Sequence, residues 1–319
     1  MILNKMENNY KRGFKRKTII ETIKHKMNKW IESIEDETLR PLIKNNYIVT
    51  GGAITSMLLG DNPNDYDVYF SDMEVAKKVV NYYISKVTKS EKVSHIEARE
   101  GKNGGVAVYI KSAGIIRSQE ENFQDYDYFE MTNGDRIESY IDKESFKEKK
   151  LYTIAMISSN AISLHGDVQI ITRFVGEPFE IHKNYDFVHT TNWYTENDSL
   201  VLNEKALESI LARELKYVGS LYPICSMFRI KKFLNRGWTI TAGEMLKISW
   251  DISKLDLENM EVLYEQLVGV DAAYFHELIG ILKKTSDKKI DRSYLFETIN
   301  RVFDEKDDNV DEFHELVEE

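Results

Sequence analysis

The spacing of apolar and polar residues predicts helices and short strands in alternation up to about residue 200. Residues 18–34 and 73–87 carry apolar side chains at helical spacing, which predicts two amphipathic helices. Shorter helices are predicted at 53–59 and 178–183. Runs rich in β-branched and aromatic residues predict strands at 47–50, 65–70, 93–98, 106–110, 161–164, 168–174 and 186–190. This order of elements predicts an α+β core with a mixed sheet.

The chain beyond about residue 200 has the pattern of a helical region. Apolar residues continue at helical spacing from Leu207 to Val218. Pro223 suits the first turn of a following helix, and Gly237 suits its end. Further helices are predicted at 241–251, 257–268, 272–284 and 293–303. The predicted fold class is therefore a mixed-sheet α+β core followed by an all-helical C-terminal region.

These patterns divide the chain into segments. The predicted segments are a basic N-terminal helix at 1–40, a core at 41–198, a helical domain at 199–303 and an acidic tail at 304–319. Residues 117–150 have little apolar periodicity and are interpreted as an insertion in the core. They include Asp125 and Asp127, but no glycine turn precedes this pair at the distance that a phosphate site needs. A solvated segment is predicted there.

Composition and charge narrow the class of protein. The net charge of −10 combines a balance of +7 over residues 1–30 with −8 over residues 304–319. The basic start could contact nucleic acid or the acidic tail, or form a solvated helix face. A single cysteine, Cys225, excludes an internal disulfide framework and a cysteine-rich zinc site. With no apolar run of membrane-spanning length and no apolar signal core, we expect a soluble, cytoplasmic protein.

The main candidates for catalytic and ligand-binding residues lie in residues 47–70, YIVTGGAITSMLLGDNPNDYDVYF. Asp65 and Asp67 are two residues apart, so on a strand both carboxylates lie on one face, while Tyr66 and Val68 point into a core. Mg²⁺ prefers oxygen ligands and is commonly held by one or two carboxylates together with substrate phosphates. The spacing therefore predicts a magnesium site at Asp65 and Asp67.

The glycine pair before this strand predicts a phosphate-binding turn. Gly51 and Gly52 allow backbone to approach a ligand closely, and the helix that follows offers free N–H groups and a positive dipole end. Ser56 lies within that helix and could donate a further hydrogen bond. Gly51, Gly52 and Ser56 are thus the predicted nucleotide-binding residues, next to the predicted metal ligands.

This segment resembles the active site of DNA polymerase β-type nucleotidyltransferases, and most closely that of CCA-adding enzymes and bacterial poly(A) polymerases. The matching positions are Gly51, Gly52, Leu58, Leu59, Gly60, Pro63, Asp65 and Asp67. Thr55 and Ser56 depart from the Arg-Asp pair that is common there. YDVYF and VQIITRF together also resemble phage-encoded members of the superfamily, for which the location would be the host cytoplasm.

The resemblance implies a nucleotidyltransferase-type fold and a reaction. A nucleoside triphosphate such as ATP would be the substrate, Mg²⁺ or Mn²⁺ the metal, and an RNA 3′ end, such as that of a tRNA, the acceptor. It also implies that Asp65 and Asp67 hold two Mg²⁺ ions, and that a third catalytic carboxylate on a neighbouring strand completes this two-metal site. Asp186 is the favoured candidate because it falls within a predicted strand, and Asp167, in a predicted turn, is the alternative. Gln169 occupies the place that is comparable to an acid in CCA-adding enzymes.

A basic helix is the candidate acceptor-binding surface. Arg229, Lys232 and Arg236 share one face between Pro223 and Gly237, with aromatic residues interleaved. Such a face could track a phosphate backbone, or it could be an ordinary solvated face. Helical C-terminal regions hold the acceptor in the resembled family.

Other functions remain open at the level of sequence. The same metal chemistry would serve nucleotidylation of a protein or a small molecule. A catalytically silent nucleic-acid-binding or structural protein of this fold is the further alternative. His182 and His189 flank Asp186, which suggests either proximity to the site or ordinary packing.

Overall fold

The computed structural model describes residues 12–87, 93–101, 104–112, 130–131, 150–157 and 161–257, with single positions at 259, 262, 263, 266, 297 and 300. The chain divides into two compact units, residues 1–216 and 217–319. Residues 199–216, predicted to begin the helical domain, belong to the first unit. The finer segment limits given above stay predictions.

The first unit combines helices with a large sheet. Its helices are α1 (Arg16–Ser33), α2 (Leu39–Asn46), α3 (Gly52–Leu59), α4 (Met73–Ser85), α5 (Pro178–His182) and α6 (Glu204–Ala212), with a 3-10 turn at Val188–Thr190. Its strands are β1 (Tyr47–Thr50), β2 (Tyr66–Phe70), β3 (Val93–Glu100), β4 (Val106–Ser112), β5 (Glu130–Met131), β6 (Ile154–Ile157), β7 (Ala161–Leu164), β8 (Val168–Val175), β9 (Trp193–Thr195), β10 (Ser199–Val201) and β11 (Glu214–Leu215).

Seven strands form one mixed sheet in the order β10–β9–β1–β2–β8–β7–β6. The central pair, β2 and β8, is parallel, and the other neighbours are antiparallel. A second sheet joins β3, β4 and β5 in antiparallel order. Most of the predicted insertion, including Asp125 and Asp127, lies outside the described residues. The predicted α+β class with a mixed sheet is confirmed.

One face of the main sheet packs against helices and forms the core. Helix α1 buries Ile19, Ile23, Met27 and Trp30, which recur at the helical spacing read from the sequence. The indole N–H of Trp30 donates to the Tyr83 hydroxyl at 2.7 Å, which ties α1 to α4. Val49 on β1, Val68 on β2 and Ile170 on β8 belong to the same buried cluster. Alternate residues of these strands therefore point to the opposite face.

That opposite face carries a smaller cluster and a row of polar residues. Ile48, Tyr69 and Ile181 are buried there, with Tyr185 and Trp193 packed against them. The strand register places the next row across five strands, and its members are Trp193, Thr50, Asp67, Gln169 and Ser163. This row brings residues that are distant in sequence to one place.

The second unit, as far as the structure describes it, is mainly helical. It contains α7 (Pro223–Asn235), a two-residue strand β12 (Thr239–Ile240) and α8 (Ala242–Ile252). The predicted helices at 223–237 and 241–251 are confirmed within a few residues, although β12 departs from an all-helical region. The helix predicted at 272–284 lies outside the described residues, as do most positions of those at 257–268 and 293–303. None of the described helices is long and apolar enough to cross a membrane.

One predicted strand is wrong. Residues 186–190 were expected to be β-structure, but Asp186 lies in a bend and Val188–Thr190 form a 3-10 turn. The Val188 N–H donates to the Lys216 carbonyl at 3.1 Å, and the Thr191 N–H donates to that of Val188 at 3.1 Å. These hydrogen bonds hold the backbone of residues 188–191 in a tight turn, so the segment cannot continue as an extended strand.

Candidate active site

The turn between β1 and α3 requires glycine at its first position. Gly51 has φ +88°, a conformation that L-residues rarely adopt, and its N–H donates to the Thr190 carbonyl at 3.1 Å. A Cβ on Gly51 would lie 2.8 Å from Oδ2 of Asp67. The turn and the carboxylate are therefore in direct contact, although fifteen residues lie between them in the sequence.

Gly52 begins α3 on the open side of the same turn. It is exposed, and a Cβ at this position would meet nothing within 4 Å. The helix runs to Leu59 and ends at Gly60, which has φ +85°. The backbone N–H groups of the first turn of α3 therefore begin beside Asp67 and at an open surface, which is the arrangement that an anion needs.

The two aspartates differ in environment. Asp67 lies on β2 and is half-buried, whereas Asp65 directly precedes the strand and is exposed. Tyr66 and Val68 are buried in the core, as predicted from the alternation along the strand. An exposed and a half-buried carboxylate beside this open turn are donors of the kind that can hold Mg²⁺ together with a triphosphate, and their metal role stays a prediction.

The position beside Asp67 on the parallel neighbour is occupied by an amide. In the β2–β8 register Asp67 pairs with Gln169, on the same face of the sheet. The Gln169 amide Nε2 donates to Oγ of Ser163 on β7 at 3.4 Å. The described residues contain no group of three or more His, Cys, Asp or Glu side chains that could hold a metal ion.

The two candidates for a third carboxylate lie in other surroundings. Asp186, which is only 8% exposed, is not part of a strand, so the reason for favouring it was wrong. Its negative charge acts on His189, whose pKa burial lowers to about 4 despite this opposing effect. Asp167 lies in a turn, as predicted, and accepts a hydrogen bond from Nζ of Lys26 on α1 at 2.9 Å. A ligand role for Asp186 stays a prediction.

A hydrogen-bond network next to the Gly51 turn joins β1 to α5 and to Asn192. The Thr50 hydroxyl, fully buried on β1, lies 2.8 Å from Nε2 of His182 and 2.8 Å from the Asn192 carbonyl oxygen. The hydroxyl has one hydrogen, so the tautomer of the imidazole decides whether Thr50 donates to Nε2 of His182 or accepts from it. Burial lowers the pKa of His182 to about 4, so this imidazole is neutral near pH 7.

Tyr185 completes the surroundings of this network. Its ring lies 5.0 Å from the His182 ring and 6.2 Å from the Tyr69 ring, measured between centroids. Burial first, and then the neighbouring phenol of Tyr69 and the negative charge of Asp67, raise the pKa of Tyr185 well above its usual value. The phenol is thus protonated at any working pH. Sequence reasoning missed Thr50 and Tyr185, because only the sheet register and the fold of residues 178–192 bring them to Asp67.

The helix that carries Ser56 is anchored to the same segment. The Thr55 hydroxyl donates to the His189 carbonyl at 2.8 Å. Thr55 therefore has a structural partner at a position where the resembled family commonly has arginine. Ser56 is half-buried on α3, and its role toward a triphosphate stays a prediction.

The predicted acceptor-binding residues lie in the second unit. Arg229 and Lys232 are exposed on α7, and Arg236, also exposed, caps its C-terminal end. Pro223 occupies the first turn and Gly237 follows the cap with φ +78°, as the sequence predicted. Their shared exposed face is consistent with a phosphate-tracking surface, which stays a prediction.

Solved structures of similar fold include CCA-adding enzymes. The Thermotoga maritima CCA-adding enzyme in complex with tRNA is 10% identical, with 82% of this chain and 53% of that chain covered and a TM-score of 0.38. The Bacillus stearothermophilus CCA-adding enzyme in complex with CTP is 14% identical, with 80% and 51% covered and a TM-score of 0.38. Similarity at this level carries no information on the substrate of this chain.

Comparison with sequence relatives identifies the family of the chain. "Gabija anti-defense 2" of Bacillus phage SPbetaL7 is 21% identical over 294 residues, which are 88% of this chain and 58% of that protein. The chain thus spans less than two thirds of the length of this curated relative, whose phage source agrees with the phage resemblance seen in the sequence. A model of the Gabija anti-defense 2 family matches residues 21–213, more than half of the chain and all of the residues around Asp67 described above. This protein therefore belongs to the Gabija anti-defense 2 family.

Proposed function

We propose that this protein is a metal-dependent nucleotidyltransferase that moves a nucleoside monophosphate from a nucleoside triphosphate to an acceptor hydroxyl. The observation that carries the proposal is the contact between the Asp67 carboxylate and the Gly51 turn. It joins a metal ligand to a phosphate-binding turn, the two parts that the sequence predicted as neighbours.

The residues have distinct tasks in this reaction. Backbone N–H groups at Gly52 and the first turn of α3 bind the triphosphate, and Ser56 adds a hydrogen bond. Asp65 and Asp67 would hold Mg²⁺, which supplies charge stabilisation when bound. The acceptor oxygen forms a bond to the α-phosphorus, and the bond from that phosphorus to the bridging oxygen breaks. Pyrophosphate leaves with the electron pair, and the hydroxyl proton passes to water. Positioning of the two substrates supplies much of the rate.

An RNA 3′ end is the proposed acceptor. The exposed positive face of Arg229, Lys232 and Arg236 supports it, because such a face can follow a phosphate backbone. A protein or a small molecule is the alternative acceptor, since the chemistry at Asp67 would be the same.

A second candidate function is retention of a nucleotide without transfer. The amide of Gln169, beside Asp67 in the sheet register, favours it, because an amide does not supply the charge of a further metal ligand. Either function would act within the anti-defence role that the family description names, in the cytoplasm of an infected bacterium.

The decisive experiment follows transfer of label. The protein is incubated with Mg²⁺, each α-³²P-labelled nucleoside triphosphate in turn, and separate pools of cellular RNA, protein and small molecules. We expect label in the RNA pool for the unaltered chain, no label for Asp67→Ala, and unchanged labelling for Glu208→Ala, which removes an exposed carboxylate from α6. Label in another pool would identify a different acceptor. Binding of Mg²⁺ and nucleotide without label in any pool would support the second candidate.

The anti-defence role can be tested in cells. Bacteria that carry the defence named in the family description are infected with phage while they express the protein, Asp67→Ala or Glu208→Ala. We expect the unaltered chain and Glu208→Ala to restore plaque formation, and Asp67→Ala not to. If all three proteins restored plaque formation equally, the anti-defence role would not depend on the chemistry at Asp67.

A further inference from the structure

Both positions that flank Asp67 in the sheet are neutral. Thr50 on β1 and Gln169 on β8 pair with it, on either side and on the same face. We infer that the site binds one divalent cation with the nucleotide, where two-metal nucleotidyl transfer would use two. The inference rests on the proposed function and concerns the metal content of the same site.

The register places Gln169 where a further carboxylate would reach the metal site. Adjacent strands lie about 4.8 Å apart, so a side chain in the neighbouring place extends beside the Asp67 carboxylate. Gln169 is half-buried, and its amide nitrogen donates to Ser163 on the far side from Asp67. The amide offers a neutral oxygen, which neutralises none of the charge of a cation.

Charge balance argues against a second ion at this site. Two divalent ions in a shared site lie about 3.5–4 Å apart and repel each other strongly unless carboxylates surround them. The described acids near the sheet edge are otherwise engaged: Asp167 is ion-paired with Lys26, and Asp186 is buried beside His189. Asp65 and Asp67 with the triphosphate suffice for one ion.

A consequence concerns the acceptor. In two-metal sites the second ion lowers the pKa of the attacking hydroxyl. Nε2 of His182 is already hydrogen-bonded to the Thr50 hydroxyl at 2.8 Å, so this nitrogen is not available as a base in its place. The acceptor hydroxyl would therefore attack without activation by a second metal ion.

The test counts the Mn²⁺ ions that bind to the protein together with a nucleotide. The protein is dialysed against limiting Mn²⁺ and a radiolabelled α,β-methylene analogue of ATP. Electron paramagnetic resonance then gives the number of Mn²⁺ ions per protein-bound nucleotide. We expect one ion for the unaltered chain and two for Gln169→Glu, which has the same length and adds one carboxylate. Ser163→Glu adds the same charge one strand farther away and should stay at one ion.

Each outcome has a separate meaning. Two ions on the unaltered chain would overturn the inference and leave the proposed function in place. One ion on both the unaltered chain and a folded Gln169→Glu would show that residue 169 does not set the count, which also overturns it. No protein-bound nucleotide would refute the proposed function itself. If Gln169→Glu does not fold, the count on the unaltered chain decides alone.

Discussion

At the scale of single residues, Asp67 is the position on which most of the site depends. It contacts the Gly51 turn, pairs with Thr50 and Gln169 in the sheet, and raises the pKa of Tyr185 through its charge. The Gly51 turn, the two adjacent strands and Tyr185 therefore all adjoin this one residue.

Replacement of either aspartate should abolish transfer. In Asp65→Ala and Asp67→Ala we expect the rate to fall about a thousandfold or more, which corresponds to roughly 4 kcal/mol, because metal stabilisation of the transition state is lost. Incorporation of labelled nucleotide under single-turnover conditions measures this, with Glu208→Ala as the control. Normal turnover in both variants would remove these residues from the mechanism.

The two adjacent glycines should respond differently to substitution. Gly51→Ala places a methyl group 2.8 Å from Oδ2 of Asp67 and strains the backbone, so we expect a loss of about 1–3 kcal/mol in the free energy of unfolding. Gly52→Ala meets open space and should leave the unfolding free energy nearly unchanged. The larger Gly52→Val should weaken binding of Mg²⁺ and a non-hydrolysable ATP analogue, because its side chain blocks the approach to the turn.

Chemical denaturation and nucleotide titration distinguish these effects. Ser56→Ala serves as a mild comparison, since one neutral hydrogen bond contributes only about 1 kcal/mol. Equal stability of Gly51→Ala and Gly52→Ala would contradict the tight contact at Asp67. An unchanged affinity in Gly52→Val would place the triphosphate elsewhere.

At the scale of elements, the segment from α5 to β9 holds β1 and α3 in place. His182 contacts the Thr50 hydroxyl, the Thr190 carbonyl accepts from Gly51, and the His189 carbonyl accepts from Thr55. Three residues of this segment thus hold the strand, the turn and the helix that surround Asp67. None of these contacts follows from local sequence.

A pair of substitutions at Thr50 tests this network. Thr50→Val keeps the shape of the side chain but leaves His182 Nε2 and the Asn192 carbonyl without their partner, which should cost about 1–3 kcal/mol. Thr50→Ser keeps the hydroxyl and should lose much less. We expect only the valine variant to weaken binding of the Mg²⁺–nucleotide complex in calorimetric titration. Equal behaviour of the two variants would show that the hydroxyl has no supporting role.

At the scale of the whole molecule, the half-buried His182 and the buried His189 should make the fold sensitive to acid. Burial lowers the pKa of His182 and His189 to about 4. Unfolded chains bind protons below about pH 6.5, whereas the folded protein does not until about pH 4. Stability is therefore full above pH 6.5 and declines as the pH falls toward 4, by up to roughly 3 kcal/mol for each histidine.

Thermal unfolding between pH 7.5 and 4.5 measures this decline. His182→Gln with His189→Gln should flatten the dependence of the midpoint on pH, even if the midpoint at pH 7.5 falls. His25→Gln is the control, because His25 is exposed on α1. A pH profile that is equally steep in the double variant would exclude these two histidines as the cause.

Salt dependence tests the acceptor surface of the second unit. If Arg229, Lys232 and Arg236 contact RNA phosphates, changing all three to Gln should flatten the log–log slope of affinity against salt by about two units. Nucleotide affinity should not change. The matched control changes three exposed lysines of the first unit, Lys78, Lys183 and Lys205, to Gln. Equal slopes in the two triple variants would refute this surface.

The sequence by itself determined the local elements and the first half of the site. Apolar spacing predicted α1, α4 and the strands β1, β2 and β8 within two residues of their ends, because burial on one side imposes a period that can be read directly. The Gly-Gly turn and the Asp-x-Asp strand could be recognised for the same reason, since backbone freedom and strand alternation are local properties. The eight-residue helix α2 was missed, as it is short and contains Pro41.

Only the tertiary structure decided what surrounds Asp67. The residues 186–190 look β-like in sequence, yet contacts with Lys216 and with the Gly51 turn fold them into a 3-10 turn, because hydrogen bonds to distant partners outweigh weak local preference. Gln169 becomes the neighbour of Asp67 only through the parallel pairing of β2 and β8, although about a hundred residues separate the two in sequence. Register depends on the whole sheet, so the neutral side chain beside Asp67 could be identified only once the strands were paired.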